Sequence, residues 1–429
     1  MHQHASLIAI AWFALMWSVA NGYAQTVSFF RHDGGVASGS QRSLTADFDR
    51  EDQLVWRSEL NPGHSTACVT EDSVYLTTYD VDRKELATVA LDRATGIVRW
   101  TRTAPTESIE SFHRIGSPAA STPAWDGQRL LVFFGSYGLL CYDRNGELLW
   151  SKPMGPFQNE FGASSSPIIV DDRVILNQDH DVGSFLIAVD RLTGKTLWKA
   201  NRVGSTRSYS TPVLCHLQGE TQILVAGALH LTAYHPTDGR RLWWVRGLSR
   251  IVDTTPVVDQ GFVYLATWTP GGDASDRIEM ESFLQALQTY DQDDNGRIAK
   301  EELSQGPVLQ RFFRIDLDQN GTLDEMEWTK HAKIFEEAQN VAMAVRLGGV
   351  GDITDTHITW IQRKGLPTVP SPLVYDGIVY MVKSSGIVTS LDATSGKLLK
   401  RGRISGRGNY YASPVAGDGK IYFANVLLR

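Results

Sequence analysis

Cysteine is scarce in this chain of 429 residues, with only Cys68, Cys141 and Cys215, no CxxC and no adjacent pair. That spacing argues against a disulfide-built scaffold and a thiolate metal site. Each cysteine lies in an apolar strand-like run, such as GLLCYD or TPVLCH, and reads as a buried thiol acting as a small hydrophobe. An excess of positive charge is also lacking, since 41 Lys/Arg face 48 Asp/Glu. Residues 273–327 hold 14 Asp/Glu against 5 Lys/Arg, a net of −9 that exceeds the whole chain's −7, and the rest of the chain is nearly neutral at +2. Nothing in that balance supplies the electrostatic footprint of nucleic-acid binding.

Long apolar runs are missing after residue 20. The one near the start, LIAIAWFALMWSVA (7–20), is short for a membrane span and is followed by NGYAQ, with small residues Gly22 and Ala24. This is the shape of a signal peptide over residues 1–24. His2 and His4 precede it but no Lys or Arg does, so an uncleaved anchor is the alternative. No Cys follows the run, which argues against lipid attachment there. The expectation is an extracytoplasmic protein, periplasmic or secreted, with no transmembrane segment after cleavage.

What is abundant is glycine, 38 residues, and tryptophan, 12. They recur together in LDRATGIVRW, YDRNGELLW, VDRLTGKTLW and YHPTDGRRLW, ending at Trp100, Trp150, Trp198 and Trp243, and more weakly in LDATSGKLLK, ending at Lys400. A Gly stands four residues before each terminal position: Gly96, Gly146, Gly194, Gly239 and Gly396. An Asp with a Gly supplies a hairpin turn, and the next strand ends in a large aromatic. Upstream of each turn lies a strand–turn–strand piece opening on a Pro, as in STPAWDGQRLLVFF, SSPIIVDDRVIL and TTPVVDQGFVYLA, where no ladder N–H is needed. A unit of three or four strands recurring every 40–50 residues predicts a β-propeller. Counting copies gives an all-β fold of about seven blades, over residues 50–272 and 346–429. The last copy stops after two strands, so either QLVW, ending at Trp56, is the strand that completes the last blade and closes the ring, or the chain is shorter than its relatives.

The pattern A-x-D-x-x-x-G-x-x-x-W is whole in ALDRATGIVRW and AVDRLTGKTLW. It resembles the tryptophan-docking repeat of pyrroloquinoline-quinone (PQQ) dehydrogenase propellers and their non-enzymatic relatives. Phrases such as VFFGSYGLLCYD and GPFQNEFGASSSPIIV are similar to exported bacterial PQQ-like repeat proteins, some with an EF-hand insert. The likeness covers residues 50–429. It implies the propeller fold and two functions: a scaffold or ligand-binding module, or a PQQ-dependent alcohol-type dehydrogenase. The dehydrogenases carry a catalytic Asp, a Glu/Asn/Asp set holding Ca²⁺ beside the quinone and, in the alcohol enzymes, a disulfide between neighbouring Cys. No such Cys pair exists here, and no carboxylate can be assigned to the catalytic roles, so catalytic and quinone-binding residues stay unassigned.

About 70 extra residues interrupt the fifth repeat, and 273–345 is expected to be an α-helical EF-hand pair. DQDDNGRIAKEE (291–302) and DLDQNGTLDEME (316–327) both match D-x-[DN]-x-[DN]-G with Glu at position twelve. Asp291, Asp293 and Asn295 present side-chain oxygens, Arg297 its backbone carbonyl, and Glu302 both carboxylate oxygens; Gly296 bends the chain. In the second loop Asp316, Asp318, Asn320, Thr322 and Glu327 take these places, Gly321 bends, and Asp324 stands where a water ligand is held. Two Ca²⁺ sites follow. Ile298 and Leu323, at position eight, are expected to pair. The short linker 303–315, with Gly306 and Pro307, argues for a structural clip rather than a wide-opening sensor.

QDHD (178–181) reads as a solvated turn, with a site rim as the alternative, and RLGGVGD (346–352) as a blade re-entry turn. SSS (164–166) lacks the glycines of a nucleophile elbow. The partner is expected to be an unidentified protein or small molecule at a propeller face.

Overall fold

The structure, a computed structural model, describes residues 28–37, 44–46, 54–273, 280–406 and 408–426. The segment read as a signal peptide lies outside them. Six four-stranded antiparallel meanders, blades 1 to 6, span residues 68–103, 124–153, 168–201, 213–246, 257–362 and 373–403. A seventh sheet has two strands, Val415–Gly417 and Lys420–Tyr422. Middle strands are covered on both faces by neighbouring blades, so Arg129–Phe134 and Phe185–Asp190 are buried almost throughout. Fourth strands such as Val98–Thr103, Leu148–Pro153 and Thr196–Asn201 face solvent except at their tryptophan.

That tryptophan docks on the next blade. Trp100, Trp150, Trp198 and Trp360 each donate from Nε1 to a carbonyl in the following turn, those of Arg144, Arg191, Pro236 and Ala393, at 2.8–3.1 Å. Each ring lies on the turn's glycine. A Cβ at Gly146, Gly194, Gly239 or Gly396 would stand 2.4–2.7 Å from a ring atom, and their φ values of 68–80° are left-handed as well. Only glycine meets both demands.

A second device was missed in the sequence. The Ser or Thr before each strand-opening Pro forms a belt. The amide of Thr66 donates to Thr122 Oγ1, that of Thr122 to Ser166 Oγ, of Ser166 to Thr211 Oγ1, of Thr211 to Thr255 Oγ1, of Thr255 to Ser371 Oγ and of Ser371 to Ser413 Oγ. The six bonds, 2.9–3.2 Å long, run from blade 1 to the seventh sheet. Each contributes about 1 kcal/mol. The repeated Pro marked the place; the hydroxyl beside it is the link.

Closure departs from expectation. Residues 54–60, which include Trp56, form no strand. Trp56 docks instead, with Nε1 on Arg93 O at 2.9 Å and its ring over Gly96. A docked side chain there does not need a ladder. At the other side of the gap Lys400 replaces the tryptophan, and Leu398–Arg403 is exposed along its whole length. The inner side of the ring is held by residues 28–37. Ser28 bridges Trp125 of blade 2 and Val36 bridges Ala416 of the seventh sheet. Arg31 donates to Pro372 O and Pro414 O, Ser28 O accepts from the Cys68 thiol, and Phe29 joins the core of blades 2 and 3. All three cysteines are buried and free.

Blade 5 departs from the repeat twice. Its last turn reaches back, and Gly351–Asp352 pairs in parallel with Trp243–Trp244 of blade 4. RLGGVGD is therefore a fifth strand for a neighbour as well as a re-entry. Trp243 is wholly buried and donates to Gln222 of its own blade. Between the second and third strands, Phe262–Thr267 and Val341–Arg346, stand three helices: α1 (Phe283–Tyr290), α2 (Pro307–Ile315) and α3 (Glu325–Glu337). Buried Asn340 clips the neck of this insert, accepting from Thr269 N at 2.9 Å and donating to Thr269 O at 3.0 Å.

Candidate metal loops and the charged loop face

In a ring of meanders, the connections between second and third strands, and those between blades, emerge on one face. Hairpins of the first and third connections emerge on the other. The insert therefore rises from the first of these, the loop face.

Local signals shape it. Ser282 and Gln285 form a capping box at the start of α1, Pro307 opens α2, and Asp324 caps α3 by accepting from Glu327 N at 2.9 Å. Asp324 thus has a capping job in addition to its place at position nine. After the first loop only a single 3-10 turn, Lys300–Glu302, precedes the linker. Trp328 on α3 is buried against Phe283 and Tyr290 of α1.

The structure brings the carboxylates of each loop together. Oxygens of Asp291, Asp293 and Glu302 lie within 4.8 Å of one another, and so do those of Asp316, Asp318 and Glu327. Glycine amides fix the first carboxylate of each loop: Gly296 N donates to Asp291 at 2.9 Å and Gly321 N to Asp316 at 3.0 Å. Gly296 and Gly321 adopt φ of 78° and 86°. The closing glutamates are held at both oxygens. Glu302 accepts from Gln292 N and Ala299 N, and Glu327 from Leu317 N and Asp324 N. Asn295 and Asn320 accept from the amides of Arg297 and Thr322, both at 2.8 Å. Ile298 pairs with Leu323 and Ala299 with Thr322, so the loops stand back to back. Hard oxygens at this density suit a cation of the calcium type. Asp316 and Glu327 are 4% and 1% exposed, and burial pushes both carboxyls up, a cost that a bound cation would relieve.

Beneath the insert, QDHD is not the solvated turn expected of it. Gln178, Asp179, His180 and Asp181 are all buried. Arg202 grips Asp179 through Nε and Nη2 at 2.6 and 2.9 Å, and Arg207 grips Asp181 at 2.5 and 2.6 Å. The two arginines come from the connection between blades 3 and 4. Their distance in sequence from QDHD hid the pairing. Arg207 also reaches Glu160 at 2.9 Å, and Glu160 takes Arg314 of α2 at 3.1 Å. The insert is thus tied by an ion pair to the loop joining blades 2 and 3.

Other groups on this face are shifted by burial. Glu110, 3% exposed, accepts from Ala163 N through one oxygen while the other has no partner, and its carboxyl is pushed up to about 8. Burial raises Asp253 to about 7 and lowers His180 to about 4. Such groups cluster at working sites. Nothing local in the sequence marks them, because each shift comes from packing.

The family comparison agrees with the architecture. A family model described as "Outer membrane protein assembly factor BamB" (PQQ_2) matches residues 41–201, 111–271 and 183–297, together more than half of the chain. No curated protein sequence matches. Among solved structures, BamB from Moraxella catarrhalis aligns at 12% identity and TM-score 0.49, over 86% of this chain and 84% of that one. A europium-containing methanol dehydrogenase aligns at 12% and 0.42, over 83% and 80%. The quinohemoprotein alcohol dehydrogenase ADHIIG from Pseudomonas putida HK5 aligns at 13% and 0.42, over 85% and 69%. Among the described residues no helix is long and apolar enough to cross a membrane.

Proposed function

This chain belongs to the PQQ-type repeat family described as outer membrane protein assembly factor BamB, and on that premise we propose a calcium-binding, extracytoplasmic scaffold or ligand-binding module. The observation that carries the calcium reading is the pair of back-to-back loops, each gathering three carboxylates within 4.8 Å. Asp291, Asp293, Asn295, Glu302 and the Arg297 carbonyl hold one ion. Asp316, Asp318, Asn320, Glu327 and the Thr322 carbonyl hold the other. Calcium neutralises an acidic insert and fixes α2 and α3 over the loop face, where a protein or small-molecule partner docks. In an extracytoplasmic setting a dissociation constant on the order of 10⁻⁴–10⁻³ M suffices. The apolar start of the chain and the family's name support export.

The test is a calorimetric Ca²⁺ titration of the protein beside a Glu302→Gln/Glu327→Gln variant. About two ions should bind, and the variant should lose them. Absence of binding at millimolar Ca²⁺ would remove the calcium role.

A quinone-dependent dehydrogenase is the second reading, favoured by Glu110 and Asp253, two loop-face carboxyls that desolvation raises toward neutral pKa. Bound quinone would supply the electron sink, and a carboxyl poised near neutrality suits proton removal from an alcohol. Incubation with PQQ and Ca²⁺ followed by a dye-reduction assay decides it; no bound quinone and no alcohol-dependent reduction would eliminate the enzyme.

A further inference from the structure

The seam between insert and propeller encloses a small cavity whose lining includes Thr206, Arg207, Arg250, Arg314, Lys330 and His331. Four of these are cationic side chains. Most nearby carboxylates are already engaged; the exception is Asp253, which attracts Arg250 without forming an ion pair with it. Both oxygens of Asp181 go to Arg207, those of Glu160 to Arg207 and Arg314, and those of Asp179 to Arg202. Glu327 turns its oxygens to amides of its own loop.

Arg250 is left over. It is 8% exposed, and its Nε donates to Pro270 O at 3.0 Å. Among the described residues no carboxylate lies within ion-pair distance of it. Its guanidinium lies 5.6 Å from the Phe335 ring centroid, and burial together with repulsion from Arg314 lowers its pKa to about 10. Arg314 Nε and His331 Nε2 are buried without hydrogen-bond partners. Burial holds His331 neutral, so its ring can offer one N–H. Glu160 and Asp253 attract Arg250 but neither pairs with it directly. A buried guanidinium with no direct ion pair is costly, and its planar fork matches an oxyanion.

We propose that this seam is a binding site for one small oxyanion, held by Arg250 from the propeller and by Arg314, Lys330 and His331 from the insert. The ligand chemistry is a compact tetrahedral oxyanion or a free carboxylate. Its occupant would join insert to propeller, beside the Arg314–Glu160 ion pair.

The test titrates the full chain with inorganic sulfate and, separately, with acetate in a calorimeter, at saturating Ca²⁺. One anion per chain should bind saturably. Sulfate alone assigns a tetrahedral ligand, and acetate alone a carboxylate. Arg250→Met should weaken binding by at least about tenfold, the loss of a charge-assisted hydrogen bond, while the exposed α3 variant Lys333→Met should not. If Arg250→Met does not fold, Lys330→Met is held to the same criterion. No saturable heat with either anion at tens of millimolar, or unchanged binding in the variant, would overturn the site. Calcium uptake is read in its own titration, so this result and the calcium reading can fail separately.

Discussion

The two faces of the propeller treat the same residue types in opposite ways. On the turn face, Asp92, Asp190 and Asp392 sit at one place in the repeat, half-buried, each accepting from amides of its own turn. Hydrogen bonds keep all three below the usual carboxylate range, from Arg99 first at Asp92, Thr193 at Asp190 and Ser395 at Asp392. On the loop face Glu110, Glu160, Asp179 and Asp181 follow no period. They are mostly buried, and their partners come from other blades or from the insert. Repetition builds the ring. Departures from it build whatever the ring is used for.

The contrast predicts a ranking. The largest effect should come from the loop face. Arg207→Met leaves Asp181 buried without its cation, and Glu160 with Arg314 alone, and should cost about 3–5 kcal/mol in urea denaturation. A cost below about 1 kcal/mol would mean that water reaches the pair and that the faces differ less than their burial suggests. Trp150→Ala, which undocks one blade seam, should cost about 3 kcal/mol, the low end for a large aromatic because its edge is exposed. Trp56→Ala should cost less, since no strand supports it, and an equal cost would show that the closing seam is as tight as the others.

Next comes pH. Glu110 has a folded pKa near 8 against 4.5 for the free carboxyl. A raised carboxyl favours the folded state below the lower value, and that advantage is lost as pH rises toward the higher one. Stability should therefore fall by about 2–3 kcal/mol from about pH 5 to about pH 7 through this group. Glu110→Gln should flatten that slope. An unchanged slope would place its source elsewhere. The smallest effect belongs to the turn face: Asp190→Ala should cost about 1 kcal/mol with little dependence on pH above about pH 5. A separate probe concerns the inner segment, residues 28–37. Arg31→Ala should expose Cys68 to a thiol reagent before Cys141 or Cys215, because Ser28 O lies on the Cys68 thiol; simultaneous reaction of all three would show that the segment does not guard it.

Much was legible in the chain itself. Period, turn glycines and tryptophans required a propeller of about seven blades with a short last one, because hairpins and docking pairs need fixed residue types at fixed spacing. The gathering of carboxylates in the two twelve-residue loops was legible for the same reason: the residues are local, and the backbone brings Asp316 and Glu327 together without outside help. Tertiary structure decided the rest. The closing segment docks a side chain instead of adding a strand. QDHD is buried because Arg202 and Arg207 arrive from another loop, and Glu160 meets Arg314 across 154 residues. The charge on the loop face depends on which carboxylate each arginine finds and how much water the insert excludes. Those are properties of packing, and no local window of sequence contains them.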